Sequence, residues 1–391
     1  MTYFLVEEIS EIESIYRNIE SRLATLHIPS ELVGMIDAIR AEINEGVKEL
    51  EWIRRNLDFI RLMMKEYIFK RFYTESIRNL YAIKHRTLIL NQLVDIITLY
   101  THLGSNDKYR GSMIALEKFI NDARTYFNEL SNLKLYTLIE YAYSAIAILL
   151  KYRVMVFCVP SYDVLRPWKW ALLLHELGHT AFITRRDGFI KKFRDKILPI
   201  LRELAPTSLK EEDIARYLRT WEQNWLKELI SDLYGVAIGG PAYTYTFIIE
   251  VFEDNPARYA FTHPSLDSRI YIQLKCLEKM ELEKLVSDVK ELWLTHRSNV
   301  LVRELGYPFP QRALEELVSV FIDMVGRPVF PNISNKVVKL QLQLNQGRVP
   351  AGTPLSLILA LALSDNRRNR AIQEKVLETI VADQQFQCPS K

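Results

Sequence analysis

The sequence predicts a mainly α-helical protein carrying one small β element. Three observations lead there. Residues 1 to about 150 contain almost no proline or glycine, apolar residues recur at helical steps along much of the chain, and one compact run of β-branched and aromatic residues ends in Pro160. At 391 residues and 49% hydrophobic, the chain can fill two or three cores, and no tract reads as disordered.

The N-terminal region, 1–150, is expected as long helices. Ile36, Ile39, Ile43, Leu50, Ile53, Leu57, Ile60, Met64 and Tyr67 alternate three- and four-residue steps, broken only by Gly46. This heptad-like spacing gives an apolar seam of the kind that a helical hairpin or coiled coil requires. Continuous from 30 to 72, such a helix is roughly 60 Å long at 1.5 Å per residue. The neighbouring stretches 3–24 and 76–103 are its expected partners, with a homodimer through these helices as the alternative.

The texture changes near 151. Arg153-Val-Met-Val-Phe-Cys-Val-Pro160 reads as an edge strand, because proline cannot donate to a ladder. An exposed edge of that kind can bind an extended peptide by strand addition. Pro167 then suits the first turn of a helix running to about Thr184. Further helices are expected near 187–203, 210–219, 221–236, 242–253, 265–280 and 283–296, within a region 151–300. A C-terminal region, 301–391, has loops marked by Pro308, Pro310, Pro328 and Pro331 and helices near 311–325, 353–363 and 367–384. Thr353-Pro354 supplies a cap and first turn for the second of these.

The charge balance excludes some functions. The 51 basic and 48 acidic residues give a net charge of +3 and no basic stripe, so no nucleic-acid partner is indicated. Cys158, Cys276 and Cys388 form no CxxC pair and no disulfide framework, which favours a reducing, cytoplasmic setting. The N-terminus lacks the basic region of a signal peptide. No stretch approaches the 20 or so apolar residues of a membrane span: charges end 141–150, and Gly239, Gly240 and Pro241 divide 233–249. A soluble protein is expected.

The chemistry concentrates in Trp170-Ala-Leu-Leu-Leu-His-Glu-Leu-Gly-His179, which contains H-E-x-x-H. Residues four apart share a helix face, so His175 and His179 can hold one Zn²⁺ at about 2.0–2.1 Å. Glu176 then stands beside the metal, placed to take a proton from a bound water. Chance alone produces this pattern in roughly one such chain in a hundred. His27, His85, His102 and His296 fall outside any ligand spacing, and Trp168, Trp170, Trp221 and Trp225 suit core packing.

A catalytic zinc needs a third protein ligand and an open fourth position. The metzincin arrangement requires glycine at 182 and histidine at 185, but Phe182 and Arg185 stand there. A glutamate on a second helix is the alternative. In Trp225-Leu-Lys-Glu-Leu-Ile-Ser-Asp-Leu-Tyr-Gly235, Glu228 and Asp232 share one face. Glu228 can bind the metal, and Asp232 can accept a hydrogen bond from the far nitrogen of a ligand histidine. Glu250 and Asp254 repeat the spacing, but Asn255-Pro256 ends that helix, so the first pair is preferred.

H-E-L-G-H followed by Glu-Leu-Ile-Ser-Asp-Leu-Tyr-Gly resembles the gluzincin metallopeptidases. Phe261-Thr-His-Pro-Ser-Leu-Asp-Ser-Arg-Ile270 is similar to the T-H-P-x-x-x-x-R-I segment of peptidases of the HtpX and CAAX-prenyl-protease kind. Together the motifs cover about 100 residues, 170–272. Those relatives are usually membrane-embedded, and the N-terminal helices have no counterpart among them. The resemblance implies a zincin-like core at 151–300 that hydrolyses peptides or unfolded proteins through a zinc-bound water, with Glu176 as general base and proton donor. His263 is then the candidate donor to the oxyanion, with Tyr243 or Tyr234 as substitutes, and Arg269 pairs with a carboxylate. Two other readings keep the metal: a helical scaffold with a structural or vestigial zinc, and an amidohydrolase acting on a non-peptide amide.

Overall fold

Few chain breakers leave the N-terminal chain helical, as α1 (Thr2–Thr25), α2 (Val33–Arg55), α3 (Lys70–Leu103) and α4 (Asp107–Arg124). The computed structural model describes residues 2–56, 70–103, 107–127, 130, 132–140, 144–146, 152–251, 259–297, 303–304, 307–326 and 330–382. With 78% helix against 5% strand, the protein is mainly α. Two compact units emerge: 1–110 with 133–140 and 146–158, and 111–132 with 141–145 and 159–391.

In the first unit, Ile36, Ile39, Ile43, Leu50 and Ile53 of the seam are buried in one core with Leu5–Leu23 side chains of α1 and Leu80–Ile97 side chains of α3. Seam positions 57, 60, 64 and 67 lie outside the described residues, as do Asp254 and Cys388. The expected single helix from 30 to 72 does not form. α2 stops at Arg55, where the Asn56 side-chain amide donates to the Trp52 carbonyl at 2.7 Å. Gly46 interrupts the seam because the Tyr16 hydroxyl fills that space, 2.0 Å from where a Cβ would stand. Beside it, Arg86 reaches buried Glu42 at 3.0 Å and also pairs with Glu49.

Residues expected as helix before 150 include two strands, β1 (Lys134–Glu140) and β2 (Ser144–Ile146). No glycine or proline brackets them, so the absence of breakers misleads, while Tyr136, Thr137 and Ile139 carry real β preference. With β3 (Val154–Pro160) they form a sheet of order β1-β3-β2. β3 is therefore central and buried throughout, and the edge reading is corrected: Pro160 ends the strand. Strand addition to β3 falls with it.

In the second unit, a tight turn of helix at Pro167–Leu172 feeds α5 (Leu173–Lys192). α5 does not stop near Thr184. It continues through a wide turn at Phe193–Ile197 into α6 (Leu198–Glu203), because a lone glycine at 188 is tolerated inside a helix. α7 (Glu211–Thr220) passes through a second wide turn, Trp221–Trp225, into α8 (Leu226–Glu250). α9 (Leu266–Lys279), α10 (Ser287–Arg297), α11 (Gln311–Val325), α12 (Phe330–Asn345), α13 (Pro354–Leu363) and α14 (Arg370–Ala382) follow, with a short antiparallel pair, β4 (Arg303–Glu304) and β5 (Tyr307–Pro308). α12 occupies a stretch that Pro328 and Pro331 mark as loop in the sequence. Its Pro331 lies in the first turn, where the missing N–H costs nothing. The Thr353 hydroxyl caps α13 as expected, accepting from Ser356 N–H at 3.3 Å.

Among the described residues no helix is long and apolar enough to cross a membrane. Among the described residues, Cys158 and Cys276 are buried and in no disulfide.

Gly46→Ala drives a methyl group into the Tyr16 ring, a case of overpacking in a filled core. We expect a loss of about 1–3 kcal/mol in the first unit, read by chemical denaturation. Unchanged stability would mean that the Tyr16 hydroxyl does not occupy this space.

Candidate metal centre

Close contact between α5 and α8 builds the site. A Cβ on Gly178 would stand 2.6 Å from the Ser231 carbonyl oxygen and 2.7 Å from its Cα, so only glycine lets the backbones approach this far. The turn of α5 holding His175 and His179 thereby meets the turn of α8 holding Glu228, Ser231 and Asp232. The two imidazoles lie in T-shaped contact with centroids 4.6 Å apart, as side chains four apart on one helix face should.

Glu228 Oε2 is the meeting point. It lies 3.3 Å from His175 Nε2, 3.6 Å from His179 Nε2 and 3.5 Å from His263 Nε2. This oxygen is buried and has no hydrogen-bond partner. Ligands about 2.0–2.1 Å from a tetrahedral metal stand roughly 3.3–3.4 Å from one another, close to the first two spacings. One potential ligand atom from each of His175, His179 and Glu228 lies within 4.8 Å of the others, so this group could hold a metal ion. His263 falls outside it. The residues present fit the metal: an orphaned carboxylate oxygen faces two imidazole nitrogens whose other ring atoms are already engaged.

Those engagements fix both tautomers. His175 Nδ1 lies 2.9 Å from Asp232 Oδ1, and a carboxylate can only accept, so Nδ1 carries the proton and Nε2 keeps its lone pair. His179 Nδ1 lies 2.9 Å from Ser231 Oγ, whose own proton goes to the Lys227 carbonyl at 2.7 Å. The hydroxyl therefore accepts from His179, which also leaves Nε2 free. Ser231 was missed in the sequence. Its signal is modest: it lies three residues after Glu228 and so shares that side of the helix.

Asp232 is fully buried and accepts from Arg269 Nε at 2.7 Å, Arg269 Nη2 at 2.8 Å and the Tyr243 hydroxyl at 2.7 Å. Burial raises its pKa, but the Arg269 guanidinium and the His175 ring together more than offset burial and bring it down to about 2. His175 is the converse case. Burial lowers its pKa, the Asp232 charge and hydrogen bond more than offset that, and the ring reaches about 9. Burial also opposes the Glu228 charge, yet the His175 and His179 rings that face it hold it well below the usual carboxylate range. Burial pushes the Tyr243 phenol up, and the Asp232 carboxylate adds to that, so it remains a donor.

The remaining sequence candidates separate clearly. Glu176 is half-buried on the first turns of α5, and its carboxylate has no hydrogen-bond partner among the described residues. His263 lies on a loop tied down by Trp225, whose indole N–H donates to the Ala260 carbonyl at 2.9 Å. Burial lowers the His263 pKa, favouring a neutral ring. Tyr243 is committed to Asp232, and Tyr234 is packed among Phe127, Phe189 and Phe321, so neither faces a substrate. Arg269 pairs with a carboxylate as expected. Glu250 forms an ion pair with Lys169 instead of meeting a histidine.

Two predictions follow from this geometry. Glu228→Ala should abolish divalent-metal retention, whereas Glu250→Ala should leave it intact, as read by elemental analysis after dialysis. The reverse pattern would move the centre to the other end of α8. Metal must also displace the extra proton that His175 carries below a pKa of about 9. Apparent affinity should therefore climb about tenfold per pH unit from neutrality toward pH 9 and then flatten. Isothermal titration in buffers of different ionisation enthalpy measures the released proton, and no release at pH 7 would contradict the assignment.

No family model, curated protein or solved structure matches this chain.

Proposed function

We propose that the protein is a zinc-dependent metallopeptidase of gluzincin type, acting on peptides or unfolded segments. The observation that carries the proposal is the orphaned Glu228 Oε2, buried 3.3 Å and 3.6 Å from two imidazole nitrogens, with Glu176 next to the first of them. Two neutral imidazoles and one carboxylate, leaving an open position, are the donor set of catalytic zinc. Bound there, zinc supplies Lewis acidity that acidifies a water and polarises a carbonyl.

The protein's own groups account for the proton traffic. Glu176, with its carboxylate uncommitted, accepts a proton as water oxygen attacks the carbonyl carbon. It returns that proton to the amide nitrogen as the C–N bond breaks, giving an acid and an amine. His263, neutral and 56% exposed at its side chain, offers an Nε2 donor to the carbonyl oxygen as negative charge grows there. Asp232 and Ser231 keep the two imidazoles in the tautomers that leave Nε2 available. The likeness of 261–270 to the HtpX and CAAX-prenyl-protease segment supports the same reading, because its histidine and arginine are the two that approach Glu228 and Asp232.

Glu176→Gln is nearly isosteric and leaves the three ligands in place. It should retain about one zinc per chain while losing cleavage of a peptide library by the upper part of the 10²–10⁴-fold range typical of acid–base catalysis. His263→Ala should cost about 10²–10³-fold, the scale of one oxyanion donor. Wild-type protein that is fully loaded with zinc yet cleaves nothing, indistinguishable from Glu176→Gln, would replace the peptidase with a metal-stabilised scaffold. Activity on acylated amines but no peptides would favour the amidohydrolase.

A further inference from the structure

α8 does not run straight. At Gly240 its backbone adopts φ 52° and ψ −137°, and Pro241 follows. In an unbroken helix, residues 232 and 243 would lie roughly 16 Å apart along the axis, beyond the reach of one tyrosine. Here the chain turns back on itself. The Tyr243 ring lies across Gly235, where a Cβ would approach ring atoms to 2.7–2.9 Å, and the Tyr243 hydroxyl reaches Asp232 Oδ1 at 2.7 Å. Oδ1 is the same oxygen that accepts from His175 Nδ1 at 2.9 Å. One segment thus supplies a metal ligand, both acceptors that orient the histidines, and a hydroxyl bonded to one of those acceptors.

The reversal depends on a residue about 90 positions later. A Cβ at Gly240 would stand 2.3–2.6 Å from three ring carbons of Phe330, so the first side chain of α12 occupies the space vacated by the glycine. Phe330 and Tyr243 are both fully buried.

We propose that Tyr243 is a positioning residue for the metal ligand His175, acting through Asp232, and that Phe330 at the start of α12 holds it in place. The inference rests on the metal centre of His175, His179 and Glu228 but not on catalysis. Asp232 accepts four hydrogen bonds. The Arg269 fork takes one along each oxygen, and Tyr243 holds Oδ1 where it also accepts from His175 Nδ1 at 2.9 Å. Without the hydroxyl, the carboxylate can rotate toward Arg269, and the imidazole loses its fixed orientation.

The test uses full-length protein with zinc and cobalt(II) as probes. Tyr243→Phe removes one oxygen from a filled site. Outer partners of ligand histidines commonly contribute about 10–100-fold to metal affinity, and Tyr243 acts one bond further out, so a loss of about tenfold is expected. The visible ligand-field spectrum of the cobalt-loaded protein should shift with it, which a purely structural role would not cause. The Tyr243→Phe effect should also vanish in an Asp232→Asn background, because coupled residues are non-additive. Phe330→Ala should weaken zinc in the same direction, and this effect should shrink in the Tyr243→Phe background. If wild type binds zinc and Tyr243→Phe keeps its affinity and cobalt spectrum, changing only the melting temperature, the positioning role is overturned while the metal centre stands. Effects of Tyr243→Phe and Asp232→Asn that simply add would overturn action through Asp232. Failure of wild type to bind either metal removes the centre itself and this inference with it.

Discussion

One buried carboxylate organises the candidate site. Asp232 has no solvent exposure, and burying an unpaired carboxylate costs several kcal/mol even after relaxation. The charge persists because Arg269 meets both oxygens and because His175 and Tyr243 complete the acceptor capacity of Oδ1. Each partner is in turn fixed by Asp232: the arginine in α9, the histidine in α5, the tyrosine beyond the reversal of α8. Three separate stretches of chain are therefore registered on one pair of oxygens. Loss of any single partner leaves the others facing an incompletely satisfied charge, which is why such networks respond as units.

The second constraint is steric. Gly178 against Ser231 sets how closely α5 and α8 approach, and that distance decides whether Glu228 falls 3.3–3.6 Å from the imidazoles or remains out of reach. The aromatic packing around Tyr217, Trp221 and Trp225 supports the same geometry from the N-terminal end of α8. Trp225 then does a second task, anchoring the loop of His263 through Ala260. A tryptophan assigned to the core by its spacing thus also places a polar side chain at the mouth of the site.

What was legible in the sequence was what depends on short-range periodicity. His175, Glu176 and His179 belong to one turn of helix, and Glu228 and Asp232 to another, so spacing alone placed each group on one face. Asp232, one turn after Glu228, could be given the role of orienting a ligand histidine because such rings usually donate their far N–H to a carboxylate. What was illegible depends on contacts distant in sequence. The central position of β3 is set by two strands on either side of it in the sheet, not by Pro160. α12 was lost because Pro331 reads equally as a breaker or as a first-turn residue until the helix is seen. Tyr243 looked like a substrate donor because nothing local reveals that the chain reverses at Gly240.

The charges explain why a cation suits this arrangement. With neutral imidazoles, Glu176, Glu228 and Asp232 contribute three formal negative charges against Arg269 and the partly exposed Lys227, 3.8 Å from Glu228 Oε1, so the site keeps a net negative charge. In the absence of metal, the site recovers part of that balance by holding an additional proton on His175, whose pKa rises to about 9 against the desolvation that should lower it. That proton and a metal ion compete for the same lone pair. A single proton brings one charge and gives Glu228 Oε2 one donor, His175 Nε2 at 3.3 Å, whereas a divalent ion brings two charges and can be held by that oxygen and both imidazoles together. The ligands are already held by Asp232, Ser231 and the Gly178 contact, so binding needs little rearrangement, and the ordering cost usually charged against metal affinity has been met by the fold.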